Sequence, residues 1–319
     1  MKIRSKVLII TGVLLISLTS TVLWLCGVRI GHVRFLTLHL SEPPVLSAEE
    51  MVELHTWLKK KSVHLKTIAA GSDFDDMQPL KAIVGDARIV SLGEAAHLNR
   101  DFSRAKHRMV EFLVNEMGFT VFAIEATFAG ALELNDYVLG GDGDPRRALG
   151  SLVYPAWTTE AILDMVNWMR EYNANHDKKV KFYGFDVKPA TGSAKAVYNY
   201  LRKTNGTDEY DQMLSVMMNT WTVNQLTKED KRGFAGKLKN LLTYLEHQQP
   251  ADTQNIPSEQ ETQDLKEWHL AVQHVRILLQ NIEFYTLPSI SEASGFRDKC
   301  MSENVRWLAD YQKGAKIIL

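Results

Sequence analysis

The chain has 319 residues, of which 45% are hydrophobic and 24% are charged, and its formal net charge at pH 7 is −1. This composition is typical of a globular protein that is long enough for one large domain. The balanced charge, without a basic patch, excludes the usual features of a nucleic-acid partner. Two cysteines, Cys26 and Cys300, are too few for a disulfide framework or for a metal site built from several thiolates.

Residues 1–30 have the pattern of a membrane segment. Lys2, Arg4 and Lys6 precede an apolar run from Val7 to Ile30, and a helix that spans a bilayer needs about 20 apolar residues. The basic flank predicts a single-pass anchor in the cell membrane, with the rest of the chain on the extracytoplasmic side. A cleaved signal peptide is the alternative, and the protein would then be secreted.

Residues 31–46 form a predicted linker that includes Glu42-Pro43-Pro44. Ser47 and Glu50 then have the spacing of a capping box, which predicts a helix that ends at about Lys61. We interpret residues 47–319 as one domain that begins with this helix.

The next part of the domain alternates between short apolar runs and amphipathic segments. Strands are predicted at 89–93, 122–124 and 182–185, and helices at 101–117, 128–139 and 159–173. A strand, a helix and a second strand in this order make a parallel pair of strands. The sequence therefore predicts an α/β fold with a mostly parallel central sheet flanked by helices.

A helix-rich region at about 194–312 is long for a single crossover between strands. Helices are predicted there at 210–218, 228–247, 259–285 and 296–311. We interpret this region as an inserted helical subdomain over the crevice of the sheet. Another strand-like run, Ala315–Leu319, follows it.

Each of the three predicted strands leads into an acidic residue, namely Glu94, Glu125 or Asp186. Because the carboxyl ends of parallel strands line the ligand crevice, we expect these carboxylates to lie close together. His97 follows Glu94 by three residues, and a carboxylate can orient a neutral imidazole as a general base near neutral pH. The sequence therefore predicts catalysis by His97, Glu94 and Glu125.

Carboxylates that converge in a crevice need a proton, a cation or a metal ion to hold them there. Lys106 and Arg108, on the helix after His97, are candidates for that cation and for substrate binding. Asp186 has two open roles, which are contact with the substrate and hydrogen bonding to the loop after its own strand.

A metal site is the competing explanation for the same cluster. Glu94, His97, Glu125 and Asp186 would give zinc or manganese several oxygen ligands and one nitrogen ligand. A single histidine is few for a zinc hydrolase, and the two-histidine helical signature is absent from this cluster. We therefore predict neither a metal nor another cofactor, and we interpret His107, His176, His269 and His274 as structural.

Several sequence blocks in a fixed order resemble the erythromycin esterase family. They are Ile89–His97, Lys106–Arg108, Gly118-Phe119, Ala123–Ala126, Trp157–Glu160, Trp168–Asn173, Tyr183–Asp186 and Arg297–Asn304. The likeness covers about residues 65–319. It implies an α/β protein with a helical part that hydrolyses an ester without a metal, in the namesake members the lactone of a macrolide.

In this resemblance, His97 matches the general base that activates water, and Glu94 and Glu125 match its carboxylate partners. Lys106 stands where some members have an arginine. The apolar leader departs from the cytoplasmic resistance enzymes of the family, so the implied partner is a small-molecule ester or lactone rather than a particular drug. The oligomeric state is left open.

Family members continue past the last strand into an Ala-His-Asn-x-His-like block, whose histidines also belong to the site. This sequence ends at Leu319. The resemblance therefore predicts that the domain is incomplete at its C-terminus and that a full-length version hydrolyses an ester. The alternatives are a metal- or ligand-binding module of the same fold and an inactive remnant.

Overall fold

The computed structural model describes residues 46–94, 96–204, 206, 208–250 and 259–319, without the side-chain environments of 259–262. The predicted membrane segment at 1–30 and nearly all of the predicted linker lie outside these residues. In the described part of the chain, no helix combines the length and the apolar character needed to cross a membrane.

The chain divides into two compact units, and the first ends at Ser62. Its described part contains one helix, α1 (Ala48–Lys61). The Ser47 hydroxyl accepts a hydrogen bond from the backbone N–H of Glu50, and the Glu50 carboxylate accepts one from the N–H of Ser47. This reciprocal pair confirms the predicted capping box.

The second unit, Val63–Leu319, is built on a four-stranded parallel sheet. Its strands are β1 (Ile89–Val90), β2 (Val121–Thr127), β3 (Lys181–Asp186) and β4 (Ile317–Ile318). The order across the sheet is β1-β4-β2-β3, so β4 separates β1 from β2. This arrangement confirms the predicted α/β fold with a parallel sheet.

Helices surround this sheet in the second unit. They are α2 (Leu80–Val84), α3 (Arg100–Met117), α4 (Phe128–Val138), α5 (Pro145–Gly150), α6 (Glu160–Asn175), α7 (Thr191–Lys203), α8 (Asp211–Met217), α9 (Thr220–Gln225), α10 (Lys228–His247), α11 (Glu259–Phe284) and α12 (Ile290–Tyr311). The short helix α5 lies in a stretch where the sequence analysis predicted no helix.

Strand β2 is longer than predicted, because it continues past Glu125 to Thr127. Its pairing with β3 shifts register between Ile124 and Thr127. An irregularity of this kind turns a side chain out of the regular alternation, and Glu125 is partly exposed while its neighbours in the strand are buried. The predicted strand ended too early because a polar residue in a buried strand resembles a strand end.

Both faces of the sheet are buried, as expected for parallel strands covered by helices. Phe122 and Phe182 pack on one face in a core that includes Phe112 of α3 and Met165 of α6. Residues of the opposite parity, such as Ala123, pack on the other face with Leu308 of α12. The alternation of side chains along each strand therefore fixes which helices cover which face.

Helices α7, α8, α10 and α11 enclose a separate hydrophobic core, which also contains Phe128 at the start of α4. Val197, Leu214, Leu238 and Val275 are fully buried in it. The helix-rich part of the chain thus has an apolar interior of its own. It remains attached to the sheet through contacts of α12 with β3.

Candidate active site

A cavity of about 650 Å³ opens beside the carboxyl ends of β1, β2 and β4. Its wall is mostly apolar. The lining residues are Ser91, Leu92, Gly93, Glu94, His97, Ser103, Lys106, Phe122, Ala123, Ile124, Glu125, Trp157, Ile162, Met165, Phe185, Met301, Ser302, Val305 and Leu319. The ionisable residues that line it are Glu94, His97 and Glu125, which the sequence places near the strand ends, together with Lys106.

The loop between β1 and α3 brings Glu94 and His97 to this cavity. Leu98 has a left-handed φ of 61°, and the Asn99 side chain caps α3 by accepting hydrogen bonds from the N–H groups of Asp101 and Phe102. A cap of this kind fixes the point at which the helix begins. The loop that carries Glu94 and His97 therefore ends at a defined point, which is the first turn of α3.

Glu94 lies between a cation and an imidazole. Its Oε1 is 3.0 Å from His97 Nδ1, and its Oε2 accepts a hydrogen bond of 2.6 Å from Lys106 Nζ. Burial raises the pKa of the Glu94 carboxyl, but the hydrogen bonds from Lys106 and His97 outweigh burial and leave the pKa below its usual value. The carboxylate is therefore ionised and able to orient the imidazole.

Helix α3 presents Lys106 to the cavity and turns Arg108 away from it. The Arg108 side chain is only 2% exposed, and its two Nη atoms donate to Asp76 and to the backbone oxygens of Thr67 and Asp73. Residues two apart on a helix point in different directions. The structure therefore places Arg108 in a buried ion pair and not among the residues that line the cavity, so its predicted role in substrate binding gains no support from its position.

Trp157 connects the two catalytic candidates that come from different strands. Its Nε1 donates a hydrogen bond of 2.7 Å to the backbone oxygen of Glu125. Its ring lies edge to face with the His97 ring, with 5.6 Å between the centroids. This contact covers one side of the His97 side chain, which is otherwise 61% exposed. Trp157 is a wall residue of the cavity.

Arg297 of α12 is the residue at this site that the sequence analysis missed. Its Nη2 donates to Glu125 Oε1 at 2.5 Å and to Asp186 Oδ2 at 2.6 Å, and its Nε donates to Asp186 Oδ1 at 2.8 Å. Hydrogen bonds to Asp186 raise the pKa of Arg297 above its usual value despite its burial. The arginine is thus a permanent cation that bridges two strand-end carboxylates.

Asp186 positions Arg297 and is not among the residues that line the cavity. Its side chain is fully buried and also accepts hydrogen bonds from the Tyr154 hydroxyl and the Val187 N–H. Burial and the charge of Asp186 raise the pKa of Tyr154, so the phenol remains a donor. The sequence left two roles open for Asp186, which were contact with the substrate and hydrogen bonding to the loop after its strand. The structure shows the hydrogen bond from the Val187 N–H, and Asp186 is not among the residues that line either cavity.

A second, smaller cavity of about 280 Å³ adjoins the first. Its lining residues are His97, Glu125, Tyr154, Pro155, Ala156, Trp157, Lys188 and Arg297. His97, Glu125 and Trp157 line both cavities. The imidazole therefore lies where the two cavities meet.

The erythromycin esterase family model matches residues 114–319, which is more than half of the chain. This chain belongs to the erythromycin esterase family. The matched range contains Glu125, Asp186 and Arg297, whereas Glu94 and His97 precede it. The erythromycin esterase assignment confirms the resemblance seen in the sequence.

The chain is also similar to individual proteins of known sequence or structure. It is 34% identical over 139 residues, or 43% of its length, to erythromycin esterase type II of Escherichia coli and covers 32% of that protein. A crystal structure of a protein from Bacillus cereus has a TM-score of 0.71 and 30% identity, over 84% of this chain and 64% of that one.

A mutant of the erythromycin esterase EreC in its open conformation has a TM-score of 0.59 and 17% identity, over 77% of this chain and 63% of that one. At this identity the likeness concerns the fold alone. The chain spans between 32% and 64% of the length of these three relatives.

Lysine and arginine side chains pair with the carboxylates at this site. Glu94 is paired with Lys106, and Glu125 and Asp186 are paired with Arg297. Within the described ranges, no three His, Cys, Asp or Glu side chains are grouped so that they could hold a metal ion. The carboxylates at this edge of the sheet are therefore held in place by ion pairs.

Two other histidines are buried away from this site. Burial lowers the pKa of His107 to about 4 and that of His274 to about 3. His274 lies 3.0 Å from the Ser193 hydroxyl, and His107 packs against Trp168. Neither residue lines the two cavities described above, and both are neutral packing residues near pH 7.

Proposed function

We propose that this protein hydrolyses a carboxylic ester or lactone of a small molecule, with a water molecule activated by His97. The observation that supports it best is the chain of contacts from Lys106 through Glu94 to His97 at the edge of an apolar cavity. Membership of the erythromycin esterase family supports the same class of reaction.

In the proposed mechanism, the Nδ1–H group of His97 donates a hydrogen bond to Glu94, and Nε2 keeps its lone pair. Water gives a proton to Nε2 while its oxygen attacks the carbonyl carbon of the substrate. The imidazolium then returns that proton to the leaving alkoxide as the ester C–O bond breaks. The products are an acid and an alcohol, and the imidazole is neutral again.

Lys106 and Glu125 have supporting roles in this proposal. Lys106 Nζ has three N–H donors and gives one of them to Glu94, so we assign it to the oxygen anion that forms when water attacks. Glu125 lines both cavities together with His97. We assign its negative charge to stabilisation of the imidazolium.

Replacement of His97 by Gln in the full-length protein tests the proposal. We expect kcat for a para-nitrophenyl ester to fall by about 10³-fold, which is within the usual range for a general base. His247→Gln is the matched control, because His247 is exposed on α10 and lines neither cavity. A His97→Gln variant that retains the wild-type kcat would contradict the assignment.

We also propose that residues 1–30 anchor the protein in the cell membrane, with the hydrolase unit on the extracytoplasmic side. The basic residues before the apolar run support this orientation. Fusion of alkaline phosphatase after residue 46 should give an active reporter that stays with the membrane fraction in alkaline carbonate. An inactive reporter would disprove the orientation, and release of an active reporter into the medium would favour a cleaved signal peptide.

A further inference from the structure

The two cavities that meet at His97 differ in the charged residues among their linings. The larger one is lined mainly by aliphatic and aromatic side chains, among them Leu92, Ile162 and Val305. The smaller one contains two cationic side chains, Lys188 and Arg297. A substrate that fills both cavities would therefore place one part among aliphatic and aromatic side chains and another part beside Lys188 and Arg297.

Lys188 is one of the residues that line the smaller cavity, and its side chain has no carboxylate partner in the described part of the chain. Its Nζ lies 4.7 Å from the centroid of the Phe284 ring. Such a contact stabilises the charged ammonium without neutralising it. The Lys188 backbone oxygen lies 2.9 Å from the Tyr154 hydroxyl, whose single proton it shares with Asp186.

Arg297 also has N–H groups that bind neither Asp186 nor Glu125. Its Nε and Nη2 bind Asp186 and Glu125, whereas Nη1 has no hydrogen-bond partner among the residues that the structure describes. Each terminal nitrogen of a guanidinium has two N–H donors. The cavity thus offers donors from two cations, while the carboxylate of Glu125 already accepts a hydrogen bond from Arg297.

We propose that the smaller cavity is a subsite for a carboxylate of the substrate. The substrate is then an ester that carries an apolar group on one side of the scissile carbonyl and a carboxylate on the other. The carboxylate binds Lys188 Nζ and Arg297 Nη1 through charge-assisted hydrogen bonds. This inference rests on the proposed ester hydrolysis and adds the chemical class of the substrate.

Two matched esters test the subsite by turnover in the full-length protein. Para-nitrophenyl hemisuccinate has a terminal carboxylate, and para-nitrophenyl butyrate has an uncharged chain of the same carbon number. We expect the wild type to have the lower KM for the hemisuccinate. Lys188→Met should raise that KM about tenfold and change the KM for the butyrate by less than about twofold, as for loss of one charged contact.

Lys195→Met is the control for this variant, because Lys195 is exposed on α7 and lines neither cavity. It should leave both KM values unchanged. Equal effects of Lys188→Met on the two esters, or a wild type without preference for the charged ester, would overturn the subsite.

Binding of uncleaved analogues separates this inference from the hydrolase proposal. N-phenylsuccinamate and N-phenylbutyramide replace the ester with a stable amide, and calorimetry gives their Kd values. The subsite is supported if the succinamate binds more tightly than the butyramide and Lys188→Met abolishes this difference. This result would support the subsite even if neither ester is hydrolysed, which would show that the proposed reaction is wrong. Equal Kd values for the two amides would refute the subsite, whether or not the esters are cleaved.

Discussion

Two arginines of the second unit bind an aspartate through two N–H donors each, and they differ in what their remaining donors do. Arg108 gives its other Nη hydrogens to backbone oxygens of the 63–79 segment. Arg297 shares Nη2 with Glu125 and leaves Nη1 free of partners in the described ranges. Arg108 is buried at 2% exposure, whereas Arg297 lines a cavity.

The comparison shows that an arginine–aspartate pair is structural or functional according to its surroundings. The Nη donors of Arg108 are all used within the fold, so the pair mainly ties a loop to α3. The pair of Arg297 holds a second carboxylate at the cavity and can bind a ligand as well. Substitutions at the two positions should therefore change different properties of the protein.

The largest expected effect on stability is that of Arg108→Ala. It leaves the Asp76 carboxylate buried without its cation, and breaking a buried pair costs about 3–5 kcal/mol of the free energy of unfolding. Urea denaturation measures this loss. Arg146→Ala is the control, because its pair with Glu160 is exposed and should cost about 0–1 kcal/mol. A similar loss in both variants would contradict the structural role of Arg108.

Exchange of arginine for lysine at each position sharpens the comparison. Arg297→Lys keeps the charge but cannot bridge Glu125 and Asp186 with the same geometry, so we expect kcat to fall about 10- to 100-fold. Arg108→Lys should lower the Tm while the folded fraction retains its kcat. The assay is ester hydrolysis corrected for folded protein. The distinction fails if Arg108→Lys lowers kcat as much as Arg297→Lys.

The region around Arg108 should also respond to pH through His107. Because burial lowers the pKa of His107 to about 4, the unfolded chain binds more protons than the folded one between about pH 4 and 6.5. The neutral state of His107 therefore contributes fully to the free energy of unfolding above pH 6.5, and this contribution is lost as the pH falls towards 4. The loss in the free energy of unfolding amounts to about 1–3 kcal/mol.

His107→Phe keeps an aromatic ring beside Trp168 but cannot bind the proton. Urea denaturation from pH 4 to 7 should therefore show a smaller loss of stability in acid than in the wild type. His247→Gln, at an exposed position on α10, should follow the wild-type profile. If the free energy of unfolding of His107→Phe depends on pH as that of the wild type does, the neutral state of buried His107 is not a source of the pH dependence.

The smallest expected effect is that of Tyr154→Phe, which removes one of the donors to Asp186. Arg297 and the Val187 N–H still bind this carboxylate. We expect a loss of about 0.5–1.5 kcal/mol in the free energy of unfolding, as for a single hydrogen bond. A loss as large as that of Arg108→Ala would indicate that the cluster around Arg297 is as essential to the fold as that around Arg108.

Features set by nearby residues could be predicted from the sequence. The capping box of α1 depends on residues three apart, and the contact between Glu94 and His97 has the same spacing. The order of strands and helices from β1 to β3 follows from hydrophobic patterns of ten to twenty residues. Each of these features needs only short-range information.

Features set by distant residues could not be predicted in this way. Arg297 and Asp186 are 111 residues apart in sequence, and only the packing of α12 against β3 brings them together. The direction of Arg108 depends on the segment that contains Asp76, and the exposure of Glu125 depends on the register of β3. The only sequence signal for Arg297 was its place at the start of a block that resembles the family.

The central position of β4 has a consequence for the order in which the protein is made. Ile317 pairs with both Ile89 and Val121, so the two halves of the sheet are joined through a segment that leaves the ribosome long after they do. Such distant pairing forms slowly. A nascent chain that stops short of this segment lacks the strand that joins β1 to β2, so the position of Glu94 relative to Glu125 then depends on the packing of α3 alone.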